Sequence, residues 1–362
     1  VAYEERNTYM LERGVMAQSK HTLLVAGGAG FIGSSFVELA IQSGYYVVVL
    51  DALTYAGHPE NLQHLPANAH QLVVGNICDG ALVCELFAKH QPSAVVNFAA
   101  ESHVDNSILS PSSFIETNIT GVFTLLEAAR QYWNGLDDAR KAAFRFVQIS
   151  TDEVYGSLGE TGKFTETTAM KPNSPYSASK AAGDHLVRAW FKTYGLPGIV
   201  TNCSNNYGPR QFPEKLIPLM ISRAVSGGVL PIYGDGKNVR DWIHVEDHAR
   251  GLLLALEQGK PGQTYCFGGN EERNNNQVVQ AICALLDEVQ PRADGKSYAA
   301  QIDYVKDRPG HDRRYAIDDS KAQQELGFTR QYDFTSGLRQ TVEWYLGNAA
   351  WAATVIQKAK VA

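Results

Sequence analysis

Three consecutive residues, Thr151-Asp152-Glu153, and a pair one helical turn apart, Tyr176 and Lys180, carry the side chains best suited to chemistry. A hydroxyl, two carboxyl groups and a phenol beside an ammonium could together oxidise an alcohol, take a proton from carbon and expel water. On a helix, Tyr176 and Lys180 share one face. An ammonium there favours the phenolate and lowers the tyrosine pKa, so that Tyr176 can take a hydroxyl proton. Acid and base work by two neighbouring carboxyls requires different pKa values. Alone, adjacent acids also read as a solvated turn and YxxxK as a surface pair. The surrounding elements weigh against that.

Thr151 follows an apolar run, Phe146-Val147-Gln148-Ile149-Ser150, that reads as a buried strand. Upstream, His21 to Ala26 reads as a strand, Ser34 to Ser43 as a helix and Tyr45 to Leu50 as a second strand ending in Asp51. Further strand-like runs lie at Gln71–Val74, Ala94–Phe98, Phe144–Ile149 and Gly198–Asn202, with helical patterns near 79–90, 112–133 and 176–194. This alternation predicts an α/β fold, a Rossmann-type doubly wound parallel sheet covered on both faces. Beyond about residue 203 Pro and Gly increase and strands shorten (Leu230–Tyr233, Gln263–Phe267, Ile302–Val305), with helices near 214–226, 245–257, 276–289 and 318–326. We expect residues 21–202 to be mainly dinucleotide-binding and 203–362 mainly a smaller α/β substrate-binding domain, with interleaved segments. Residues 1–20 lack a signal-peptide pattern and read as an extension outside the fold.

Gly27, Gly30 and Gly33 satisfy GxxGxxG, and Gly28, Gly30 and Gly33 satisfy GxGxxG, between a strand and a helix. There they permit a tight turn and close backbone approach to a pyrophosphate at a helix N-terminus. The alternative is a glycine turn that packs helix on strand without a ligand. Asp51, at the end of the next strand, would bond ribose hydroxyls and repel a 2′-phosphate, favouring NAD over NADP.

The 362 residues, 44% apolar and 19% charged, are ordinary for a soluble globular protein. A net charge of −6 without a basic cluster argues against nucleic acid as partner, and no apolar run has membrane-spanning length. The five cysteines form no CxxC pair and suggest reduced thiols in the cytoplasm. The ten histidines show no metal-ligand spacing, so no metal is expected; His244 and His248 read as packing or surface residues. His103 could orient the active-site loop or be a structural histidine. Trp344 and Trp351 read as packing side chains.

In order along the chain, GGAGFIGS (27–34), DALTYAG (51–57), AAESHVD (99–105), STDEVYG (150–156), YSASK (176–180), NCSNNYGP (202–209), FPEKLIP (212–218), RDWIHVEDHA (240–249) and DRPGHD (307–312) resemble motifs of the extended short-chain dehydrogenase/reductase family. The resemblance runs from about residue 21 to 351 and is narrowest to its nucleotide-sugar 4,6-dehydratases. It implies NAD held by Gly27, Gly30, Phe31, Ile32, Gly33, Asp51, Ala52, Leu53, Thr54, Asn76, Ile77, Ala99, Ala100, Ser102, Thr117, Tyr176, Lys180 and Asn206. Tyr176 with Thr151 would deprotonate the sugar C4 hydroxyl, Glu153 would remove the C5 proton and Asp152 would release the C6 hydroxyl as water. Substrate contacts would come from Ser102, Thr151, Asn205, Lys215, Leu216, Pro231, Ile232, Tyr233, Arg240, Asn275, Asp307, Arg308, Pro309, Gly310 and His311. Arg240 would meet a diphosphate bidentately; its alternative is a salt bridge to Asp241 or Glu246. The implied substrate is dTDP-glucose, with UDP-glucose as a rival, and the implied assembly is a homodimer through helices near 112–133 and 176–194. Ala26, Asn76 and Asn106 depart from common family residues, Arg210 occupies a variable site, and the register of 270–276 is ambiguous. An epimerase would lack the Asp-Glu pair, and a non-catalytic NAD-sensing protein would have lost part of the Tyr/Lys/acid set.

Overall fold

The computed structural model describes residues 21–307 and 311–359. The segment 1–20, together with Arg308, Pro309 and Gly310 from the expected substrate set, lies outside the described residues. Among the described residues twelve strands, numbered along the chain, are β1 Thr22–Ala26, β2 Tyr46–Asp51, β3 His70–Val74, β4 Ala94–Asn97, β5 Arg145–Thr151, β6 Gly198–Cys203, β7 Asn205–Tyr207, β8 Leu230–Tyr233, β9 Val239–His244, β10 Thr264–Phe267, β11 Glu272–Asn274 and β12 Ile302–Val305.

Runs such as Val47-Val48-Val49-Leu50 are apolar without alternation because both faces of their sheet are covered. Seven strands form one parallel sheet in the order β10-β6-β5-β4-β1-β2-β3. One face packs on helices Phe31–Gln42, Val245–Gln258 and Ser320–Leu326, contributing Phe36, Leu252 and Ala322 to one core. The other packs on Gly80–His90, Val122–Asn134 and Pro175–Tyr194, with Leu86, Leu125 and Val187. Each such large apolar side chain contributes about 1.5–3 kcal/mol by leaving water. The strand order reverses between β1 and β4, which opens a crevice at the carboxyl ends of the strands.

A second core gathers Tyr207, Ile217, Trp242, Val278 and Leu338 under helices Leu216–Val225, Asn275–Val289 and Phe334–Gly347. It is roofed by a three-stranded sheet, β11-β9-β7, and a two-stranded one, β12-β8. Strand β10 does not join this part: it pairs with β6 at the edge of the large sheet. The chain therefore returns to the first layer after residue 203.

The single helix expected near 112–133 is broken into Ser112–Ile115, a π-helical turn at Glu116–Gly121 and Val122–Asn134. The extra residue of a π-turn is a common device at functional sites; here it carries Thr117 to the crevice and Asn118 to the backbone of Glu101, which Asn118 both accepts from and donates to. Strands β7, β9 and β11 escape the sequence pattern because they are short or polar (Asn205-Asn206, Arg240-Asp241, Glu272-Arg273).

Candidate active site

The crevice is a cavity of about 340 Å³ at the carboxyl ends of the central strands. β1 runs into Gly27, whose φ of +73° is costly for other residues and whose Cα faces Ala99 so closely that an added Cβ would stand 2.5 Å from the Ala99 nitrogen. A Cβ on Gly33 would stand 2.2 Å from the Gly27 carbonyl oxygen. Helix Phe31–Gln42 starts at Gly30 with no side-chain cap, leaving its first-turn amides available to an anion. At the end of β2, Asp51 accepts from Ala29 N through Oδ2 and from Leu53 N through Oδ1, both at 2.9 Å, which fixes the carboxylate at the cleft wall. Burial raises its pKa against the pull of these two bonds. Glycine cradle, uncapped helix and buried ribose-side carboxylate fit a dinucleotide.

Of the residues expected to hold it, Gly27, Gly30, Phe31, Ile32, Gly33, Asp51, Ala52, Thr54, Asn76, Ile77, Ala99, Ala100, Ser102, Thr117, Tyr176, Lys180 and Asn206 line the cleft. Leu53 does not. Its left-handed backbone (φ 51°) closes the turn on Asp51, and its side chain borders a separate cavity of about 210 Å³ with His58 and Lys358.

Thr151 ends β5 and caps the 3₁₀ turn Asp152–Tyr155: its Oγ1 accepts from Glu153 N at 3.3 Å and donates to Asp152 Oδ1 at 3.3 Å. Asp152 is 2% exposed, and its Oδ2 is buried without a hydrogen-bond partner. Burial first, then the Glu153 and Asp241 carboxylates, push its pKa well above the ordinary value against Arg240 and Thr151. Burial and the neighbouring carboxylates thus favour the protonated form of Asp152 beside Glu153.

Helix Pro175–Tyr194 is set by a Ser174/Ser177 capping box, Pro175 at its first turn and a left-handed Gly195 at its end. It brings Tyr176 and Lys180, both buried, onto the cleft. The Tyr176 pKa moves opposite to the expected direction: burial, then Glu153 and Cys203, drive it up against the pull of Thr151. The physical reason is burial, which penalises the phenolate, reinforced by the nearby carboxylates; the Lys180 ammonium donates to the Ile149 carbonyl at 2.7 Å. Burial lowers the pKa of Lys180, opposed by Asp184 and Cys203.

Expected substrate residues divide. Ser102, Thr151, Asn205 and Lys215 line the cleft, with Lys215 Nζ donating to the Ser102 carbonyl at 3.3 Å. Leu216, Pro231, Ile232, Tyr233, Arg240, Asn275, Asp307 and His311 are not among its walls. Pro231 to Tyr233 lie on β8 beside β12, where Gly234 follows and packs on Asp307, itself 2.7 Å from His311 Nδ1. Asn275 opens its helix, donating its amide to Asn238 O. Arg240 is buried, donates to the Val239 and Asp312 carbonyls at 2.8 and 3.0 Å, and lies 4.3 Å over the Tyr315 ring. Asp241 instead accepts from the amides of Gly269 and Glu271. The Arg240–Tyr315 stack links this outer group to the acids, since Arg240 acts electrostatically on Asp152 and Glu153 on Tyr315.

The cleft also holds Tyr55, Glu101, Cys203, Gln211, Phe212 and Glu214, none singled out from sequence. Glu101, Phe212 and Glu214 sit inside motifs quoted above, so their neighbours were the available signal. Burial raises the Glu214 pKa and is reinforced by Glu101 and Asp105 against Lys215. Burial pushes the Cys203 thiol up to about 12, which makes it inert rather than nucleophilic. His103 caps helix Val104–Leu109 and stands 3.6 Å from Glu214. His244 caps Val245–Gln258, and His248 meets Asn206 Oδ1 at 2.9 Å. Trp344 and Trp351 pack edge to face. Among the described residues no group of His, Cys, Asp and Glu could hold a metal ion, and no helix is long and apolar enough to cross a membrane.

The family model described as GDP-mannose 4,6 dehydratase matches residues 24–341. The dTDP-glucose 4,6-dehydratase of Xanthomonas campestris pv. campestris (strain B100) is 61% identical over 336 residues, covering 92% of this chain and 96% of the relative. Two solved dTDP-glucose 4,6-dehydratases superpose: that of Streptomyces venezuelae, with NAD bound, at a TM-score of 0.83 and 44% identity, and that of Bacillus anthracis, in complex with NAD, at 0.81 and 45%; each covers 92% of this chain and 99% of its own. With the family model spanning most of the chain and relatives this similar over nearly their whole length, the chain belongs to the GDP-mannose 4,6 dehydratase family.

Proposed function

We propose that this protein is an NAD-dependent dTDP-glucose 4,6-dehydratase, a hydro-lyase that yields dTDP-4-keto-6-deoxyglucose and water. The observation that carries the reading is Asp152, a carboxyl 2% exposed whose Oδ2 has no hydrogen-bond partner, beside Glu153 at the strand end that also carries Thr151; burial favours its protonated form. Epimerisation needs no acid to expel water; elimination does.

The dinucleotide would be held by the Gly27–Gly33 turn and Asp51, and when bound its nicotinamide supplies reversible hydride acceptance. Thr151 and Tyr176, both on the cleft, share the proton leaving the C4 hydroxyl. With a ketone at C4 the C5 proton becomes acidic, and Glu153 takes it. Asp152 gives its proton to the C6 hydroxyl, which leaves as water. Lys180 holds the Tyr176 region through the Ile149 carbonyl. Ser102, Asn205 and Lys215 position the sugar diphosphate at the cleft, and Arg240 with the β8 segment recognises the nucleotide end.

We also read the enzyme as a cytoplasmic homodimer. Its five thiols are free, which suits a reducing compartment. Ile115, Phe123 and Tyr194, on or beside the helices expected to pair, are exposed at 50%, 45% and 46%.

The test is incubation of the purified protein with dTDP-glucose and, separately, with UDP-glucose, without added NAD, followed by mass spectrometry. Loss of one water from the dTDP sugar at the faster rate is the expected result. An unchanged mass with both, in protein carrying NAD, would overturn the reading.

A further inference from the structure

Lys180 and Tyr176 are not the only ionisable residues on their helical face. Asp184 follows Lys180 by one further turn, is 2% exposed, and sits against the backs of β5 and β6. Its Oδ2 accepts from Ser150 Oγ at 2.7 Å and from Asn202 Nδ2 at 3.2 Å, and Asn202 Nδ2 also donates to the Thr151 carbonyl at 3.1 Å. Tyr155 OH closes the set on Asn202 Oδ1 at 3.1 Å. The other carboxylate oxygen, Oδ1, is buried without a hydrogen-bond partner. A carboxyl placed so deep needs a reason beyond packing, since an isolated buried charge is expensive.

We propose that Asp184 is the buried counter-charge that keeps the Lys180 ammonium protonated, making it a positioning residue for the Tyr176/Lys180 pair. The inference rests on the dehydratase reading only for its consequence in turnover. Asp184 is the leading influence that favours the charged form of Lys180, and Lys180 the leading one that favours ionised Asp184. Burial pushes Asp184 up to about 7, against the pull of Lys180, Ser150 and Asn202. The other ionisable groups acting here are Cys203 on β6, which also favours charged Lys180, and Tyr155 on the turn after β5, whose pKa burial and Cys266 raise, with Asp184 adding to it. The same network grips Thr151, so the carboxyl ties the charge of Lys180 to the strand end that carries the acids.

The experiment titrates Lys180 directly in the NAD-loaded protein by NMR of ¹³Cε-labelled lysine, assigned with Lys180→Arg, in wild type and Asp184→Asn. The expected result is a fall in the Lys180 midpoint by about one pH unit or more in Asp184→Asn. The alkaline limb of kcat for dTDP-glucose should move down with it, while KM stays within about threefold of wild type. A Lys180 midpoint that does not move overturns the inference. Should Asp184→Asn not fold, Ser150→Ala removes the 2.7 Å donor to Asp184 and must shift the midpoint in the same direction by less; no shift there also overturns it. Absence of turnover in wild type would sink the dehydratase reading while leaving the midpoint comparison intact.

Discussion

The two ends of the cleft are built in different ways. The dinucleotide end is local: one strand, one glycine turn, one helix start and the next strand end place Gly27 to Gly33 and Asp51 with backbone hydrogen bonds. The nucleotide end is assembled from β8, β9, β12 and the start of helix Asn275–Val289, which converge from distant parts of the chain. A local motif leaves little freedom for its side chains, so nearly every residue expected there reaches the cavity. A composite surface depends on how short polar strands pair, and none of the members expected on β8, β9 or the start of helix Asn275–Val289 lines the cavity. The Arg240–Tyr315 stack is the joint between the two constructions.

The largest break in this comparison is expected at the local end. Gly33→Val puts a side chain where the Gly27 carbonyl already is; there is no flexible neighbour to yield. We expect a loss of about 3 kcal/mol of stability and of bound NAD together, read by thermal melting and by cofactor content after purification. Next is the shared centre. Asp152→Asn removes the proton to be given to the C6 hydroxyl and keeps the shape, so turnover falls by about 100- to 10,000-fold. C4 oxidation continues, and reduced cofactor should accumulate as absorbance near the nicotinamide band; normal substrate binding with no reduced cofactor would show that Asp152 and Glu153 divide their work differently.

At the composite end the effect is smaller and of another kind. Arg240→Ala should raise KM for dTDP-glucose about tenfold, about 1.4 kcal/mol, with NAD content unchanged. Loss of NAD in that variant would mean that the two ends are not separate constructions. The smallest effect sharpens the boundary between them. Glu38, on the dinucleotide helix, pairs with Arg210 at 2.7 Å and His64 at 3.1 Å, and Arg210 precedes the loop bearing Gln211 and Phe212. Against the upward push of burial, His64 and Arg210 hold the Glu38 pKa at about 2, below its unfolded value of 4.5. A depressed carboxyl stabilises the fold fully above the unfolded value, and that contribution is lost as pH falls from 4.5 through about 2. Glu38→Gln should therefore cost about 1–2 kcal/mol at pH 7 and progressively less in acid, measured by denaturant unfolding across pH.

Particular residues mark where the sequence was legible. The apolar runs of β1, β2, β4 and β5 announce a sheet buried on both faces, and YxxxK at helical spacing puts Tyr176 and Lys180 on one side before any contact is known. The turn at Leu53 was not legible, because a left-handed leucine has no pattern of its own. Neither was the π-turn at Glu116–Gly121, whose residues fit an ordinary helix equally well. Glu214 and Cys203 went unmarked because what makes them part of the cleft is a neighbour on another element.

By itself the sequence determined the doubly wound sheet, the glycine cradle and the identity of the acid and Tyr/Lys side chains, since hydrophobic period and short-range spacing depend on residues close in the chain. Only the tertiary structure decided the charge states. Burial and the Glu153 and Asp241 charges favour the protonated form of Asp152, and burial with Glu153 raises Tyr176. The Ile149 carbonyl accepts from the Lys180 ammonium, whose pKa burial lowers against Asp184 and Cys203. Each depends on water removed and on charges brought near by elements far apart in sequence, and neither is written in any local run of residues.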